Sequence, residues 1–138
     1  RPSRLDQAAT ACLGYSVWLP DDFDFKRGGT LPGLYGAIDG GRDDEKVSFA
    51  VRYMWRDAGV AELLVTLPHN SDTRTSSIDP VWVDGTLVAD RQQMMLRDSN
   101  TVTFAGVQAD VHYGGFDSAF MAPKDAKIRL TPFEVRVR

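Results

Sequence analysis

The chain has 138 residues, of which 43% are hydrophobic and 25% are charged. Such a chain suits one globular domain, because at this length roughly two thirds of the unfolded surface becomes buried. The net charge of −3 provides no overall attraction to nucleic acid or to an anionic membrane. We therefore predict a single domain over residues 1–138 that is monomeric and binds neither nucleic acid nor a membrane.

One cysteine, Cys12, excludes an internal disulfide and any metal site built from several thiolates. We expect it to be an unreactive core residue. No apolar run approaches the ~18 residues of a membrane span, and Arg1–Arg4 is not followed by the apolar segment of a signal peptide.

The first predicted elements are short. Two stretches have a composition that permits a helix, Asp6–Ala11 and Asp90–Arg97. In Leu13–Leu19, large apolar residues alternate with others until Pro20 ends the run, which predicts one strand.

The segment Phe23–Gly36 has an unusual composition, since four glycines and Pro32 fall within nine residues after two phenylalanines. This is a poor composition for a helix or a regular strand, and it predicts a bent backbone. Because glycine lets another chain or a ligand approach the main chain closely, we expect this segment to form the base of a site.

Val47–Trp55 alternates again, which places its large apolar side chains on one face and Ala50 and Arg52 on the other. A turn at Asp57–Gly59 leads into Ala61–Leu67. These two runs predict an antiparallel hairpin.

A second hairpin is predicted over Val81–Val88, because Asp84 and Gly85 form a strong turn signal between two β-rich runs. The remaining strand candidates are Thr101–Phe104, Gln108–Tyr113, Lys127–Leu130 and Phe133–Val137. Many short strands separated by glycine and proline favour an all-β fold, namely an antiparallel two-sheet sandwich or jelly roll.

Six segments carry a family resemblance, in this order: Tyr15–Pro20, Phe23–Gly36, Arg52–Arg56, Val81–Gly85, His112–Gly115 and Ala122–Asp125. Their order and spacing resemble polysaccharide lyase family 14 and the similar glucuronan lyases, from about Leu13 to the C-terminus. The resemblance implies a β-jelly roll that cleaves polyuronates such as alginate and glucuronan. We accordingly expect an extracellular or secreted protein whose partner is an acidic polysaccharide and which needs no cofactor and no metal.

β-Elimination on a uronate needs a cation or donor that neutralises the carboxylate, a base for the C5 proton and an acid at the leaving oxygen. The resemblance assigns Arg52 to the carboxylate. The family's lysine, serine and two tyrosines fall on Thr30, Ala50, Leu64 and Thr66. Lys26 and Arg27 lie close to Thr30 in sequence and are candidates to replace that lysine.

His112 and Tyr113 stand where the family usually has two phenylalanines. In one interpretation they replace the missing base and acid, while Arg52 and Lys26 or Arg27 hold the substrate carboxylates. In the other, His112 lies at the sheet surface and Tyr113 packs in the core, because neighbours on a strand face opposite ways.

Three further residues are candidates for substrate binding. Trp18 shares a strand face with Gly14 and Ser16 and is the tryptophan best placed to stack on a sugar ring. Lys127 and Arg129 belong to a basic C-terminal region that suits an acidic chain or, alternatively, forms a solvated edge. The acidic runs at 21–24 and 43–45 lack the spacing of a loop that wraps one cation, so we predict no metal site.

Two functions therefore remain open. The first is a lyase that acts on an acidic, uronate-containing polysaccharide, with Arg52, Tyr113 and His112 as catalytic groups. The second is a catalytically silent carbohydrate-binding or interaction domain of the same fold. The glycine block and Arg52 favour the first function, whereas the substitutions at Ala50, Leu64 and Thr66 favour the second.

Overall fold

The computed structural model describes residues 5–38, 47–66, 81–89, 101–114, 117–122 and 125–138. In these ranges the regular elements are strands and two short 3-10 turns, at Asp57–Gly59 and Ser118–Phe120, and no helix is long and apolar enough to cross a membrane. The strands are β1 (Ala11–Gly14), β2 (Val17–Trp18), β3 (Gly28–Ile38), β4 (Val47–Arg56), β5 (Ala61–Thr66), β6 (Val81–Val83), β7 (Thr86–Ala89), β8 (Val102–Gln108), β9 (His112–Tyr113), β10 (Arg129–Leu130) and β11 (Glu134–Val137).

The main sheet has the strand order β5-β4-β3-β8, and β9 pairs with the beginning of β3. All of its pairings are antiparallel. Three two-stranded sheets accompany it, formed by β1 with β11, β2 with β10 and β6 with β7. The predicted antiparallel all-β architecture is confirmed.

The glycine segment differs from its prediction, because Gly28–Ile38 is the long central strand of the main sheet rather than an irregular bend. The Trp55 ring lies where a side chain at Gly29 would stand, and the Phe49 ring does the same at Gly36. These two rings are almost fully buried. Glycine is required here because the aromatic rings pack directly on the backbone.

Irregularity is nevertheless present in β3, as bulges rather than as a break. Thr30 pairs with Met54 and Gly33 pairs with Arg52, so β3 advances three residues while β4 advances two. Buried Pro32 lies within this bulge, where a residue that cannot donate a backbone hydrogen bond is tolerated. The extra residue changes which later side chains of β3 share a face with Thr30.

The core beneath the main sheet is aromatic. Phe23 packs edge-on against Trp55 and stacks on Tyr113, at ring-centroid distances of 5.6 and 5.8 Å. Trp55 donates its indole N–H to the Phe25 carbonyl at 3.0 Å, which satisfies the polar atom of an otherwise buried ring.

The predicted strand Leu13–Leu19 is wrong in one respect, since the chain divides there into β1 and β2. β1 pairs with β11 and β2 pairs with β10. Between them, Ser16 exchanges hydrogen bonds with Thr131, its N–H donating to the Thr131 hydroxyl at 2.8 Å and its carbonyl accepting from the Thr131 N–H. A local pattern of apolar residues cannot reveal this change of partner.

Two further expectations at the N-terminal end are wrong. Cys12 is exposed, because it faces outward on β1 opposite Arg136. Asp6–Ala11 is not a helix: the chain makes a turn in which the Ala8 N–H donates to Leu5, and β1 begins at Ala11. The other helix candidate, Asp90–Arg97, lies outside the described residues.

Both predicted hairpins are present. β4 and β5 pair in register on either side of the turn at Asp57–Gly59. Asp84 and Gly85 connect β6 to β7 with φ angles of 48° and 74°. Positive φ at both central residues matches the right-handed twist of the two strands, which explains the preference for Asp-Gly.

We predict that Gly36→Ala destabilises the fold by about 1–3 kcal/mol, because the new methyl group would overlap the buried Phe49 ring. The matched control is Gly14→Ala, also in a strand, where an added Cβ meets nothing within 4 Å. Urea unfolding followed by circular dichroism measures both changes. Equal stabilities for the two variants would contradict this account of the glycine segment.

Candidate active site

One face of the main sheet carries the candidate catalytic groups, and we call it the Arg52 face. Directly paired residues in antiparallel strands point to the same side. Arg52 pairs with Leu64 on β5 and with Gly33 on β3, and Ala50 pairs with Thr66 and Tyr35. The next row contains Glu62, Met54, Thr30 and His112. The opposite face packs on the aromatic core.

Arg52 is held tightly although it lies on this outward face. Only 7% of the residue is exposed. Its Nε donates to the Leu31 carbonyl at 3.3 Å, and its Nη2 donates to the Asp110 carbonyl at 2.8 Å and to Asp110 Oδ2 at 2.9 Å. Because three hydrogen bonds fix the guanidinium, its position is set before any ligand arrives.

Asp110 joins Arg52 to His112. Its Oδ2 lies 3.0 Å from His112 Nδ1 as well as 2.9 Å from Arg52 Nη2. Partial burial of Asp110 acts to raise its pKa, but the hydrogen bond and charge of Arg52 outweigh that effect and hold the pKa below the usual value. Asp110 is therefore an ionised acceptor that can fix the orientation of the imidazole.

Thr30 completes the cluster from β3. The residue is buried, and its hydroxyl lies 3.1 Å from His112 Nδ1 and 3.4 Å from Nε2. The cluster thus combines a fixed cation, an ionised carboxylate, an imidazole and a hydroxyl on one face of the sheet. It contains the types of group that proton transfer next to a carboxylate requires.

The comparisons with known proteins identify the family. The family model for polysaccharide lyase 14 matches residues 1–81, which is more than half of the chain. The chain belongs to polysaccharide lyase family 14. A search of curated proteins found no match.

A solved structure extends the fold relationship beyond the matched residues. The crystal structure of the marine PL-14 alginate lyase from Aplysia kurodai resembles this chain with a TM-score of 0.68 and 20% sequence identity. The similarity covers 96% of this chain and 71% of that one. It establishes that this member of family 14 has the jelly-roll fold of that lyase, as predicted.

The positions that the sequence analysis assigned to family 14 functional groups share the Arg52 face. These are Thr30, Ala50, Arg52, Leu64 and Thr66. Leu64 stands directly beside Arg52 and is 39% exposed, so the Arg52 face presents an apolar side chain next to its cation. Alternation along β4 predicts the shared face of Ala50 and Arg52, whereas Leu64 and Thr66 join them through the pairing of β4 with β5 and Thr30 through the pairing of β4 with β3.

The structure does not bring Tyr113 to this face. Its ring contacts Phe23 and Trp55 in the core, and its hydroxyl donates to the Asp24 carbonyl at 2.7 Å. His112 points the other way and has a side chain that is 54% exposed. This is the arrangement of the second interpretation, in which neighbouring residues of a strand face opposite ways.

Two other tyrosines are also core phenols. Tyr15 donates its hydroxyl to the Pro32 carbonyl at 2.7 Å and packs edge-on against Tyr53. Burial, more than any nearby charge, raises the pKa of both hydroxyls. They remain protonated at neutral pH and are poorly suited to act as bases.

The other candidate binding residues lie away from Arg52. Lys26 pairs with Asp24, its Nζ lying 3.3 Å from Oδ2, and Arg27 is exposed just before β3. Trp18, Lys127 and Arg129 line a separate pocket of about 280 Å³. Within the described ranges, no group of three or more His, Cys, Asp or Glu residues could hold a metal ion.

Two candidate functional residues of the Arg52 face, Asp110 and Tyr35, are not predicted by the sequence pattern. Asp110 had a signal in its spacing from His112, but its contact with Arg52 depends on how the loop before β9 folds back. Tyr35 was not predicted because, without the bulge at Pro32, strict alternation would place its side chain on the other face of the sheet from Thr30. In the structure Tyr35 pairs with Ala50, and its half-buried ring lies over Gly106.

We predict that Asp110→Asn lowers stability at neutral pH and weakens its dependence on acid pH. The lowered folded-state pKa means that ionised Asp110 stabilises the fold above its unfolded pKa of about 4. That contribution is lost as the pH falls through the folded-state value. Thermal unfolding from pH 7 to pH 2 therefore should show a flatter acid limb in the variant.

Glu134→Gln is the matched control, because Glu134 pairs with Arg136 at a strongly exposed site. We expect it to change stability by less than about 0.5 kcal/mol at pH 7. If the unfolding temperatures of wild type and Asp110→Asn fell by the same amount between pH 7 and pH 2, the assigned role of Asp110 would be contradicted.

Proposed function

We propose that this protein is a polysaccharide lyase that cleaves a uronate-containing polysaccharide outside the cell by β-elimination. The observation that carries the proposal is the Arg52–Asp110–His112 cluster on one face of a family 14 sheet. Alginate, the substrate class named for the structurally similar Aplysia lyase, is one polymer with the required chemistry.

Arg52 would neutralise the substrate carboxylate and stabilise the enolate-like intermediate. Its contacts with Leu31 and Asp110 use Nε and Nη2. Among the described residues neither contact uses Nη1, whose N–H groups would donate to the substrate carboxylate. Preorganised donors aimed at developing negative charge are the main source of electrostatic catalysis.

His112 would remove the C5 proton. Asp110 accepts from Nδ1, which leaves Nε2 as the basic nitrogen. A carboxylate that orients an imidazole in this way is a recurring device of general-base catalysis. The exposed side chain of His112 is open to a polymer lying along the Arg52 face.

Tyr35 would protonate the leaving oxygen. Its cross-strand partner Ala50 lies two residues before Arg52, so Tyr35 and Arg52 are diagonal neighbours, a relation that spans about 7–8 Å. His112 lies on the other side of Arg52, in the row of Thr30. Because C5–H and the leaving oxygen at C4 are on neighbouring carbons, the His112 and Tyr35 side chains would have to converge on the substrate over Arg52.

A second function, uronate binding without cleavage, also has an observation in its favour. Leu64 and Thr66 stand beside Arg52 and Ala50, at the positions where the sequence resemblance expects two phenols. Neither replacement can donate or accept a proton at the reacting carbon as a phenol does. In this case the Arg52 face recognises the polymer and leaves it intact.

The deciding experiment incubates the protein with alginate, glucuronan and a neutral glucan while binding and ultraviolet absorbance are followed together. Lyase action creates a C4–C5 double bond that absorbs in the ultraviolet, whereas binding without cleavage gives no new absorbance. For an active enzyme we expect His112→Gln to lower kcat by about 10²–10⁴-fold with little change in KM. Full activity in this variant would remove His112 as the base.

Arg52→Ala is expected to weaken binding of the uronate polymer by about 1.5–3 kcal/mol, the value of a hydrogen bond to a charged group. Arg136→Ala is the control, because Arg136 is an exposed arginine on β11. Isothermal titration measures both variants after circular dichroism has confirmed folding. Unchanged affinity in folded Arg52→Ala would place the polymer elsewhere.

A further inference from the structure

A pocket lies away from the Arg52 face, on the core side of the main sheet. It has a volume of about 280 Å³, and its lining includes Tyr113, which belongs to the core face. Arg52, Asp110 and His112 are not among its lining residues. Pockets for drug-sized ligands have volumes of about 300–1,000 Å³. This pocket is slightly smaller and has room for about one or two sugar rings.

Trp18 forms the aromatic wall of this pocket and is 50% exposed, an unusual degree for an indole. It is the direct cross-strand partner of Arg129, and the Arg129 guanidinium carbon lies 4.8 Å from the ring centroid. This cation–π contact fixes the orientation of the indole. A fixed, half-exposed aromatic plane is suited to stacking on the C–H face of a pyranose.

The polar groups around Trp18 are both donors and acceptors. Asp22 and Asp125 contribute carboxylates to the lining, and Lys127 and Arg129 contribute N–H donors. The hydroxyl groups of a sugar can donate to the carboxylates and accept from the N–H groups. Small-ligand sites usually combine an apolar wall with a few polar groups.

The charges of the pocket do not favour a polyanion. Its lining holds three carboxylates, Asp22, Asp24 and Asp125, against two cations, Lys127 and Arg129, and Asp24 also lies 3.3 Å from the Nζ of Lys26, which is outside the lining. Such a pocket exerts no net attraction on a polyanion. Stacking and hydroxyl contacts would therefore determine what binds.

We propose that this pocket binds one neutral pyranose unit of a polysaccharide and anchors the protein at a point remote from Arg52. The pocket is independent of the lyase proposal, because the two sites use different residues on opposite faces. It also gives Trp18, Lys127 and Arg129 a role in saccharide binding away from the uronate site.

The test is calorimetric titration of the full chain with a short neutral gluco-oligosaccharide and, separately, with a uronate oligomer of equal length. We expect the neutral oligomer to bind with little salt dependence. Trp18→Ala should weaken this binding about tenfold or more, the effect of losing an aromatic contact, and Trp18→Phe should restore most of it. Met121→Ala is the control, because Met121 is exposed and lies outside the pocket.

Absence of neutral-oligomer binding, or binding that Trp18→Ala leaves unchanged, would overturn the proposal. Trp18-dependent binding of the uronate oligomer alone would overturn the assignment to a neutral sugar. Arg52→Lys should lower cleavage of a uronate polymer and leave neutral-oligomer binding intact. Failure of the lyase proposal and failure of this one are therefore distinguishable.

Discussion

The packing of two aromatic rings on the bare backbone of β3 is the contact on which the rest of the structure depends. Trp55 and Phe49 occupy the space that side chains at Gly29 and Gly36 would need. The long central strand can therefore lie close to the core on one side, and the opposite side of the same strands is left to carry Arg52, Thr30 and Tyr35. One strand thus supports both the hydrophobic core and the candidate active site.

The Arg52 face illustrates how a cation is kept available near the surface of a sheet. Asp110 offsets the charge of Arg52, and the same carboxylate orients His112. A substrate carboxylate that approaches Arg52 meets a guanidinium already fixed in place, but it must share that cation with Asp110. The balance between preorganisation and competition would determine whether this face cleaves a uronate polymer or only holds it.

The Arg52 face and the Trp18 pocket differ in chemistry. The Arg52 face combines a fixed guanidinium with a carboxylate, an imidazole and a hydroxyl, whereas the Trp18 pocket combines a half-exposed indole with charged groups of both signs. A family 14 domain with both sites could hold a polymer at one point while acting on it at another.

The sequence by itself determined the all-β class, both hairpins and the shared face of Ala50 and Arg52, because alternation and turn chemistry are local properties. Only the tertiary structure decided what depends on distant partners. The contact of Asp110 with Arg52, the division of Leu13–Leu19 between β11 and β10, and the exposure of Cys12 all arise from pairing across the chain. The bulge at Pro32 likewise moves Tyr35 to the Arg52 face, since one inserted residue reverses the alternation on which any sequence-based assignment relies.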